Sequence, residues 1–324
     1  MVQCAADHGL RVPKSETIQD ICELEDAVSK IDSWPLVIKP SASAGTDHVV
    51  IAKTNTELLE TAKKILNQTN QLGLINKKAI LQEYICGTEF SVNAVSYEGV
   101  IKFTHIWKYH KKEVVAGKFA YDWEYIVDPE SDEAKDIFSY MNRLLPAVGV
   151  IKGPSHSVVK IDDKGVCLIE TAARLDGTLS EQSDLLSVGH TQVELTISGE
   201  VNGAEFQEKY PDIYNKKLHA ANVYLISDKS GQVTSESVVE TIKSHCPSYL
   251  GARIQIKKGD NIRPTTDLFS TPGIIFLVSD CFEQLQKDYR VIRKLEARGQ
   301  LYRVSEDESE DMKAEARLTI SEGT

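Results

Sequence analysis

The sequence predicts an α+β protein of antiparallel strands and amphipathic helices, with a smaller α+β satellite at its C-terminal end. Three observations support this. Two β-rich runs, 156–161 and 166–170, flank Asp-Asp-Lys-Gly, which is typical of a tight hairpin turn. Apolar residues recur at helical spacing over 131–149. After a loop-rich join at 199–214, the predicted strands become shorter and alternate with two further helices.

Composition limits the classes of function. The 324 residues, 41% of them hydrophobic, are enough for two or more domains with their own cores. The formal net charge of −11 argues against nucleic acid and anionic membranes as partners. The six cysteines form no CxxC pair, which favours reduced thiols. We recognise no signal peptide and no apolar run long enough to span a bilayer, so the cytoplasm is the expected compartment.

The N-terminal part predicts a strand followed by a loop that approaches a ligand. A short helix over 1–12 stops at His8-Gly9, an amphipathic helix follows over 17–31, and the strand WPLVIKP carries Lys39 near its end. The next residues, SASAGT, include Ser41, Ser43 and Gly45. Small residues let backbone N–H groups reach phosphate oxygens, and Lys39 adds a cation beside them. An ordinary turn is the alternative, because the loop is not a Walker motif.

A second candidate site follows the predicted strand at 79–84. The strand breaks at Cys86-Gly87 and resumes at Glu89. This arrangement suits an edge-on adenine clamp, in which backbone groups around Glu83, Tyr84 and Ile85 hold the base and Glu89 takes ribose hydroxyls. An ordinary antiparallel meander with an exposed glutamate is equally consistent with the pattern.

The segment 107–129 is rich in lysine and aromatic residues. We predict a lid or substrate loop here, with Lys108 and Lys118 as candidates for binding a substrate carboxylate. Two alternatives stay open, a solvated basic loop and a surface that binds an acidic partner protein. Helices are predicted on either side of the central hairpin, at 131–149 and 180–199.

The end of the central hairpin carries the strongest chemical signal. Glu170 ends an apolar strand, and Arg174 follows four residues later. A hard cation requires carboxylate oxygens, and a phosphate suits the planar fork of a guanidinium. A buried salt bridge at the strand end is the alternative.

Three segments, taken in this order, resemble the ATP-grasp superfamily of carboxylate–amine ligases. They are VIKPSASAG (37–45), LQEYICGTEFSV (81–92) and HSVVKIDDKGVCLIETAARLDG (156–177). Within the superfamily, ETAAR and the C-terminal region are similar to the L-amino-acid ligases, which form dipeptides. The resemblance covers roughly residues 1–300 and implies two α+β subdomains that clasp ATP between antiparallel sheets. It divides the chain into 1–33, a remnant linker; 34–97, the small lid subdomain; 98–214, the large subdomain; 215–303, the satellite; and 304–324, an acidic disordered tail.

The resemblance also implies roles for individual residues. Lys39 would bind phosphates and take part in catalysis, Glu170 would bind Mg²⁺, and Arg174 would contact the transferred phosphoryl group or the substrate carboxylate. The remaining ATP-binding positions would be Ser41, Ser43, Gly45, Glu83, Tyr84, Ile85 and Glu89. The reaction would convert a carboxylate to an acyl phosphate, which an amine then attacks. The partners would be small-molecule carboxylates and amines, with a homo-oligomer left open. A catalytically impaired nucleotide-binding module with a regulatory or assembly role is the alternative.

Three departures from the family pattern bear on activity. Val158 stands where the family has a second acidic metal ligand, and valine cannot coordinate a cation. Ala172 replaces a frequent asparagine. The family's N-terminal domain, with a further ATP-contacting lysine, is expected before Met1. Asp176 is a possible replacement for the missing ligand, although a loop-capping role suits it as well. His156 is predicted either to orient substrate or to be a satisfied core histidine.

Overall fold

The computed structural model describes residues 1–115 and 117–305. Within these residues the strands form three sheets, and helices cover the two larger ones. Strand pairing is antiparallel throughout the named strands. This agrees with the predicted α+β class, because the sequence contains hairpin signals rather than strand–helix–strand repeats.

The first sheet has four strands in the order β1-β4-β2-β3. Its elements, with the helix that precedes them, are α1 (Val2–Asp7), β1 (Ser15–Ile18), α2 (Leu24–Ile31), β2 (Leu36–Pro40), β3 (Val50–Ala52), α3 (Asn55–Ile65) and β4 (Ala79–Glu83). The apolar stripes of α2 and α3 pack on the sheet, and Ile31 and Leu58 are fully buried there. This sheet therefore has a core of its own.

The predicted helix over 17–31 was too long. Ser15–Ile18 instead forms an edge strand that pairs with β4, and a 3₁₀ turn at Ile21–Glu23 precedes α2. The side chain of Asp20 accepts a hydrogen bond from the N–H of Cys22, so the helical segment begins there and cannot extend backwards. Ile18 is fully buried in the core of the four-stranded sheet, which a continuous helix would not allow.

The second sheet has eight strands in the order β12-β14-β10-β7-β6-β5-β8-β9. The strands are β5 (Thr88–Tyr97), β6 (Val100–Val115), β7 (Lys118–Ile126), β8 (Gly153–Asp162), β9 (Gly165–Ala172), β10 (His219–Tyr224), β12 (Tyr249–Ile254) and β14 (Gly273–Ser279). Helix α4 (Asp132–Ala147) packs on one face through Ile137, Met141 and Leu144. Helix α9 (Phe282–Ala297) packs nearby against β10 and β14.

The predicted loop at 107–129 is the hairpin β6–β7. Trp107 faces Ile126 in the strand register, Tyr109 faces Glu124, and Lys111 faces Tyr121. The aromatic residues bury one side of each strand, and this burial stabilises regular strands despite the many lysines. At the tip of the hairpin, the N–H of Ile51 donates to the carbonyl oxygen of Gly117 at 3.0 Å, which joins the two larger sheets.

Of the six described strands after residue 215, three belong to the eight-stranded sheet. Although the satellite was predicted over 215–303, β10, β12 and β14 extend the eight-stranded sheet, because β10 pairs with β7. A third sheet of three strands contains β11 (Gly231–Glu236), β13 (Asn261–Ile262) and β15 (Tyr302–Val304). The predicted small subdomain, 34–97, included β5, but β5 lies in the larger sheet. Sequence patterns identify strands but not their partners.

Helices between the strands complete the structure. They are α5 (Glu181–Ser187), α6 (Gln192–Val201), α7 (Gly203–Lys209) and α8 (Val238–His245). The single helix predicted over 180–199 is interrupted at Gly189, whose positive φ of 90° ends α5. Most of the predicted acidic tail, from residue 306 onward, lies outside the described residues. None of the helices in the described part of the chain has both the length and the apolar character that crossing a bilayer requires.

One ion pair fixes the N-terminal segment to the central hairpin. Arg11 donates to both oxygens of Asp162, at 2.6 and 2.7 Å, and these hydrogen bonds lower the pKa of that carboxyl to about 2. Asp162 is therefore ionised at neutral pH, and the pair contributes stability above its unfolded pKa near 4.

We expect Asp162→Asn to lower the free energy of unfolding by about 1 kcal/mol at neutral pH, a modest value because the pair is partly solvated. This deficit should shrink as the pH falls from about 4 to about 2, since wild-type Asp162 is then protonated. Urea unfolding over this pH range measures it. Asp163→Asn, on the same turn, serves as the control and should show no such dependence. A deficit that stays constant down to pH 2 would contradict the assignment.

Candidate active site

A cavity of about 530 Å³ lies between the four-stranded and the eight-stranded sheet. Strand β2 and the loop after it form one wall, and the β6–β7 hairpin with the ends of β8 and β9 forms the other. Most of the residues predicted to bind ATP border it. They are Lys39, Ser41, Ser43, Gly45, Glu83, Tyr84, Ile85 and Glu89, together with Lys108 and Glu170.

The small-residue loop at 41–46 is held in a defined shape. The Ser43 hydroxyl donates to Asp47 at 2.9 Å, and the Asn70 amide donates to the Ala42 carbonyl oxygen at 2.6 Å. Gly45 has a φ of +65°, and its carbonyl oxygen accepts from the N–H of Leu268. Within the described residues, the N–H groups of 43–46 have no acceptor. The loop therefore presents backbone donors suited to an anion.

Three lysines and two carboxylates set the electrostatics of the cavity. Burial lowers the pKa of Lys39, and the nearby carboxylates of Glu170 and Glu89 oppose that shift. Glu89 accepts from Lys111 at 2.6 Å and lies 3.7 Å from the ammonium of Lys160. Among the described residues, four lysines and four carboxylates border the cavity. The part of its wall formed by Lys39, Lys111, Lys160, Glu89 and Glu170 carries three ammonium groups against two carboxylates, which suits a polyanion.

The ion cluster around Glu89 was not foreseen from the sequence. Burial raises the pKa of Glu89, but the charges of Lys111 and Lys160 outweigh burial, so the net pKa is lowered and Glu89 is ionised. For Lys111, burial lowers the pKa, and Glu89 more than compensates. The register explains the cluster, because β5 lies between β6 and β8 and pairs with both. One sequence signal could have indicated Lys160. This lysine follows Val158 by two residues on a strand, so the two side chains lie on the same face of that strand.

The segment after β4 keeps its backbone available at the rim of the cavity. The N–H of Glu83 donates to the Lys14 carbonyl oxygen at 2.9 Å, which fixes the strand end. The Ile85 carbonyl oxygen accepts from Lys160 at 3.2 Å, whereas the Ile85 N–H has no acceptor among the described residues. A flat heteroaromatic ring with an edge acceptor suits this position.

The residues present fit one magnesium ion better than two. Glu170 borders the cavity and forms no ion pair within the described residues. Its register partner on β8 is Val158, so the position across the ladder offers no oxygen. The described part of the chain contains no group of three or more histidine, cysteine or acidic residues that could hold a metal alone. Magnesium is commonly held by one or two carboxylates with nucleotide phosphates, and Glu170 can supply the first.

The proposed replacement ligand, Asp176, is engaged elsewhere. One of its oxygens accepts from the Asn93 amide at 2.9 Å, and the other accepts from the N–H of Thr178 at 2.8 Å. Burial raises the pKa of Asp176, but His156 and these donors outweigh burial and keep it ionised. His156 in turn contacts Asn93 at 2.7 Å. Asp176 and His156 thus belong to a buried network that does not border the cavity, and Asp176 caps its loop.

Of the other predicted side chains, Arg174 and Lys118 do not border the cavity, and Lys108 borders it with its ammonium engaged elsewhere. Arg174 is exposed, and its guanidinium donates to the Leu175 carbonyl oxygen at 2.8 Å. Lys108 borders the cavity, but its ammonium bonds to Glu133 of α4 at 2.9 Å. Lys118 borders a smaller pocket at the hairpin tip. Their placement makes Lys108 and Lys118 poor candidates for binding a substrate carboxylate in this conformation.

Comparison with known proteins agrees with this architecture. A family model described as ATP-grasp domain matches residues 32–182. Dapdiamide A synthase from Enterobacter agglomerans is 29% identical over 278 residues, which are 85% of this chain and 65% of that protein. The chain thus spans slightly less than two thirds of this relative.

Solved structures show the same fold. The L-amino acid ligase from Bacillus licheniformis superposes with a TM-score of 0.74 at 19% identity, over 94% of this chain and 71% of that one. An N5-carboxyaminoimidazole synthase from Aspergillus clavatus, in complex with ADP and 5-aminoimidazole ribonucleotide, gives 0.64 at 10% identity, over 91% and 71%. The resemblance inferred from the three sequence segments agrees with these comparisons: residues 32–182 match the ATP-grasp domain, the fold is that of the ATP-grasp structures, and the chain is similar to dapdiamide A synthase and to the L-amino acid ligase.

Proposed function

We propose that this protein is an ATP-dependent carboxylate–amine ligase that acts on amino-acid substrates. The observation that carries the proposal is the cavity itself, which is bordered by Glu170. Three lysines, Lys39, Lys111 and Lys160, surround it together with a loop whose N–H groups have no acceptor among the described residues. The similarity to dapdiamide A synthase supports amide formation. Free thiols at all six cysteines suit a reducing compartment such as the cytoplasm.

The nucleotide would lie along the cavity with its base at the rim. The backbone of residues 83–85 would bind adenine, and Glu89 would accept ribose hydroxyls with oxygen lone pairs that its lysines leave unused. Lys39, Lys111 and the N–H groups of the 41–46 loop would then face the phosphates. These cations lower the electrostatic free-energy cost of placing the four negative charges of ATP in one buried space.

The chemistry would proceed in two transfers. A carboxylate oxygen of the first substrate attacks the γ-phosphorus, and the bond to the β,γ-bridging oxygen breaks, which yields an acyl phosphate and ADP. The amine of the second substrate then attacks the acyl carbon, the carbon–oxygen bond to phosphate breaks, and the amine loses a proton. Magnesium at Glu170 would neutralise phosphate charge. The chain contributes positioning and fixed positive charge, and it needs no covalent nucleophile.

Arg174 would contact the transferred phosphoryl group or the substrate carboxylate after its guanidinium leaves the Leu175 carbonyl oxygen. This rotation costs little, because the side chain is exposed and a single hydrogen bond holds it among the described residues.

A second candidate function is a nucleotide-binding module with impaired catalysis. The observation that favours it is Val158, an apolar side chain directly across the ladder from Glu170. With one carboxylate ligand instead of two, such a protein would bind nucleotide but transfer its phosphoryl group slowly.

ADP release separates the two functions. With ATP and magnesium present, the ligase requires ADP formation that depends on an added amino acid, and mass spectrometry should detect an amide product. Stoichiometric nucleotide binding without turnover on any amino acid or simple carboxylate would favour the impaired module.

Lys39→Ala should weaken the binding of ADP and of a non-hydrolysable ATP analogue by about tenfold or more, because a buried cation beside the phosphates is lost. Isothermal titration calorimetry measures the change. Lys108→Ala is the matched control, since its ammonium is bonded to Glu133 on α4, and it should leave nucleotide affinity unchanged. Equal losses of nucleotide affinity in both variants would contradict the assignment of Lys39 to the phosphate site.

Val158→Glu should raise magnesium affinity and magnesium-dependent turnover, because it restores a carboxylate opposite Glu170. Without magnesium, the two facing carboxylates should lower the melting temperature, and magnesium with nucleotide should restore it. Val158→Gln is the uncharged control of equal size. If neither magnesium affinity nor turnover increases, position 158 is not the missing ligand position.

A further inference from the structure

A second polar site lies beside the cavity on the eight-stranded sheet. Glu124 on β7 and Asn222 on β10 face each other in the register and are only 1% and 3% exposed. On its other side Glu124 pairs with Tyr109, which borders the cavity. Tyr121 also borders the cavity, and its ring contacts Tyr224 at a centroid distance of 5.2 Å. The two sites are therefore neighbours, separated by tyrosine rings.

The hydrogen bonds of this site leave acceptors unused. One oxygen of Glu124 accepts from the Asn222 amide nitrogen at 2.6 Å and from the Tyr224 hydroxyl at 2.8 Å. The second oxygen, Oε2, has no donor in the described part of the chain, and neither has the Asn222 amide oxygen. Buried polar atoms without partners are rare, because each costs free energy. Two acceptors that lie so close together indicate a missing donor.

The surroundings disfavour an isolated negative charge on Glu124. Burial and the charge of Asp176 raise the pKa of its carboxyl to about 8, so the carboxyl is mostly protonated at neutral pH until a cation binds beside it. Asp184 on α5, a helix that packs against β10 and β14, is 1% exposed and has no donor to either oxygen among the described residues. Lys111 attenuates the effect on Glu124, but its ammonium is already paired with Glu89. A ligand with both positive charge and N–H donors would complement this site.

We propose that Glu124 and Asn222 form a subsite for the primary ammonium group of the amino-acid substrate whose carboxylate is activated. An ammonium group supplies three donors and one positive charge, so it can satisfy Glu124 Oε2 and the Asn222 oxygen together. The identification of the ligand as an amino acid rests on the proposed function. With its ammonium in this subsite, the substrate would direct its carboxylate past Tyr109 into the cavity.

The loop before α5 is held near the same face of the sheet. Arg253 on β12 donates to the carbonyl oxygens of Gly177 and Leu179 at 3.1 and 3.0 Å. Glu124 is 1% exposed, and a charge-assisted hydrogen bond gains strength in such a dry environment. The subsite therefore discriminates most strongly against a substrate that lacks the ammonium group.

The test is a binding experiment with the full chain. Wild type and Glu124→Gln, each saturated with a non-hydrolysable ATP analogue and magnesium, are titrated calorimetrically with the standard L-amino acids. Each amino acid that binds is compared with its des-amino carboxylic acid. Glu296→Gln is the matched control, because Glu296 is a largely buried glutamate on α9 whose two oxygens both have donors, Ile226 and Arg293.

We expect Glu124→Gln to weaken amino-acid binding by about tenfold or more and to abolish the preference over the des-amino acid. Nucleotide affinity should not change, and Glu296→Gln should retain wild-type amino-acid binding. The amide oxygen introduced by Glu124→Gln can still accept from Asn222 and Tyr224, so the melting temperature of this variant should not fall. If the variant fails to fold, Asn222→Leu carries the same comparison.

The inference is overturned if no amino acid binds the wild type, or if the variant keeps both affinity and preference. Its failure is distinguishable from failure of the proposed function. If amino-acid binding depends on Glu124 but no ADP is released, the subsite proposal is supported and the ligase proposal is wrong. If ADP is released and Glu124→Gln leaves the KM for the amino acid unchanged, the ligase proposal is supported and the subsite proposal is wrong.

Discussion

The ion cluster of Glu89 with Lys111 and Lys160 is the interaction on which the site depends. Two buried lysines would repel each other and lose protons if no carboxylate lay between them. The charge of Glu89 opposes this loss of protons at both lysines, whose ammonium groups lie 2.6 and 3.7 Å from its oxygens, and the three residues come from adjacent strands of one sheet. Strand register thus fixes the spacing of these charges, and the proposed phosphoryl transfer would require such preorganisation.

This arrangement bears on the missing metal ligand. A triphosphate can be neutralised by metal ions, by lysines or by both. The cavity wall places Lys39, Lys111 and Lys160 near Glu170, which has no ion pair among the described residues and lies at the ladder position opposite Val158. The balance between cation sources therefore differs from the two-carboxylate pattern that the family resemblance implies. Whether this balance supports turnover or only binding is the difference between the two proposed functions.

The C-terminal strands β10, β12 and β14 are part of the same eight-stranded sheet that borders the cavity. Because β10 pairs with β7, Asn222 and Tyr224 reach Glu124 across 98 and 100 residues of sequence. The same extension of the sheet brings Leu268 to the carbonyl oxygen of Gly45 in the small-residue loop. The cavity and the proposed ammonium subsite therefore adjoin one continuous sheet.

The sequence by itself determined the features that depend on neighbouring residues. Lys39 before a small-residue loop, the backbone at 83–85 and Glu170 at a strand end were all predicted, and all border the cavity, because each is defined within one strand–loop unit. Only the tertiary structure decided what depends on partners distant in the chain. In the folded chain, Asp176 accepts a hydrogen bond from Asn93, and the ammonium of Lys108 bonds to a carboxylate on α4. Lys111 and Lys160 both lie beside Glu89. The physical reason is that strand pairing and burial, which no local pattern encodes, fix which charges meet.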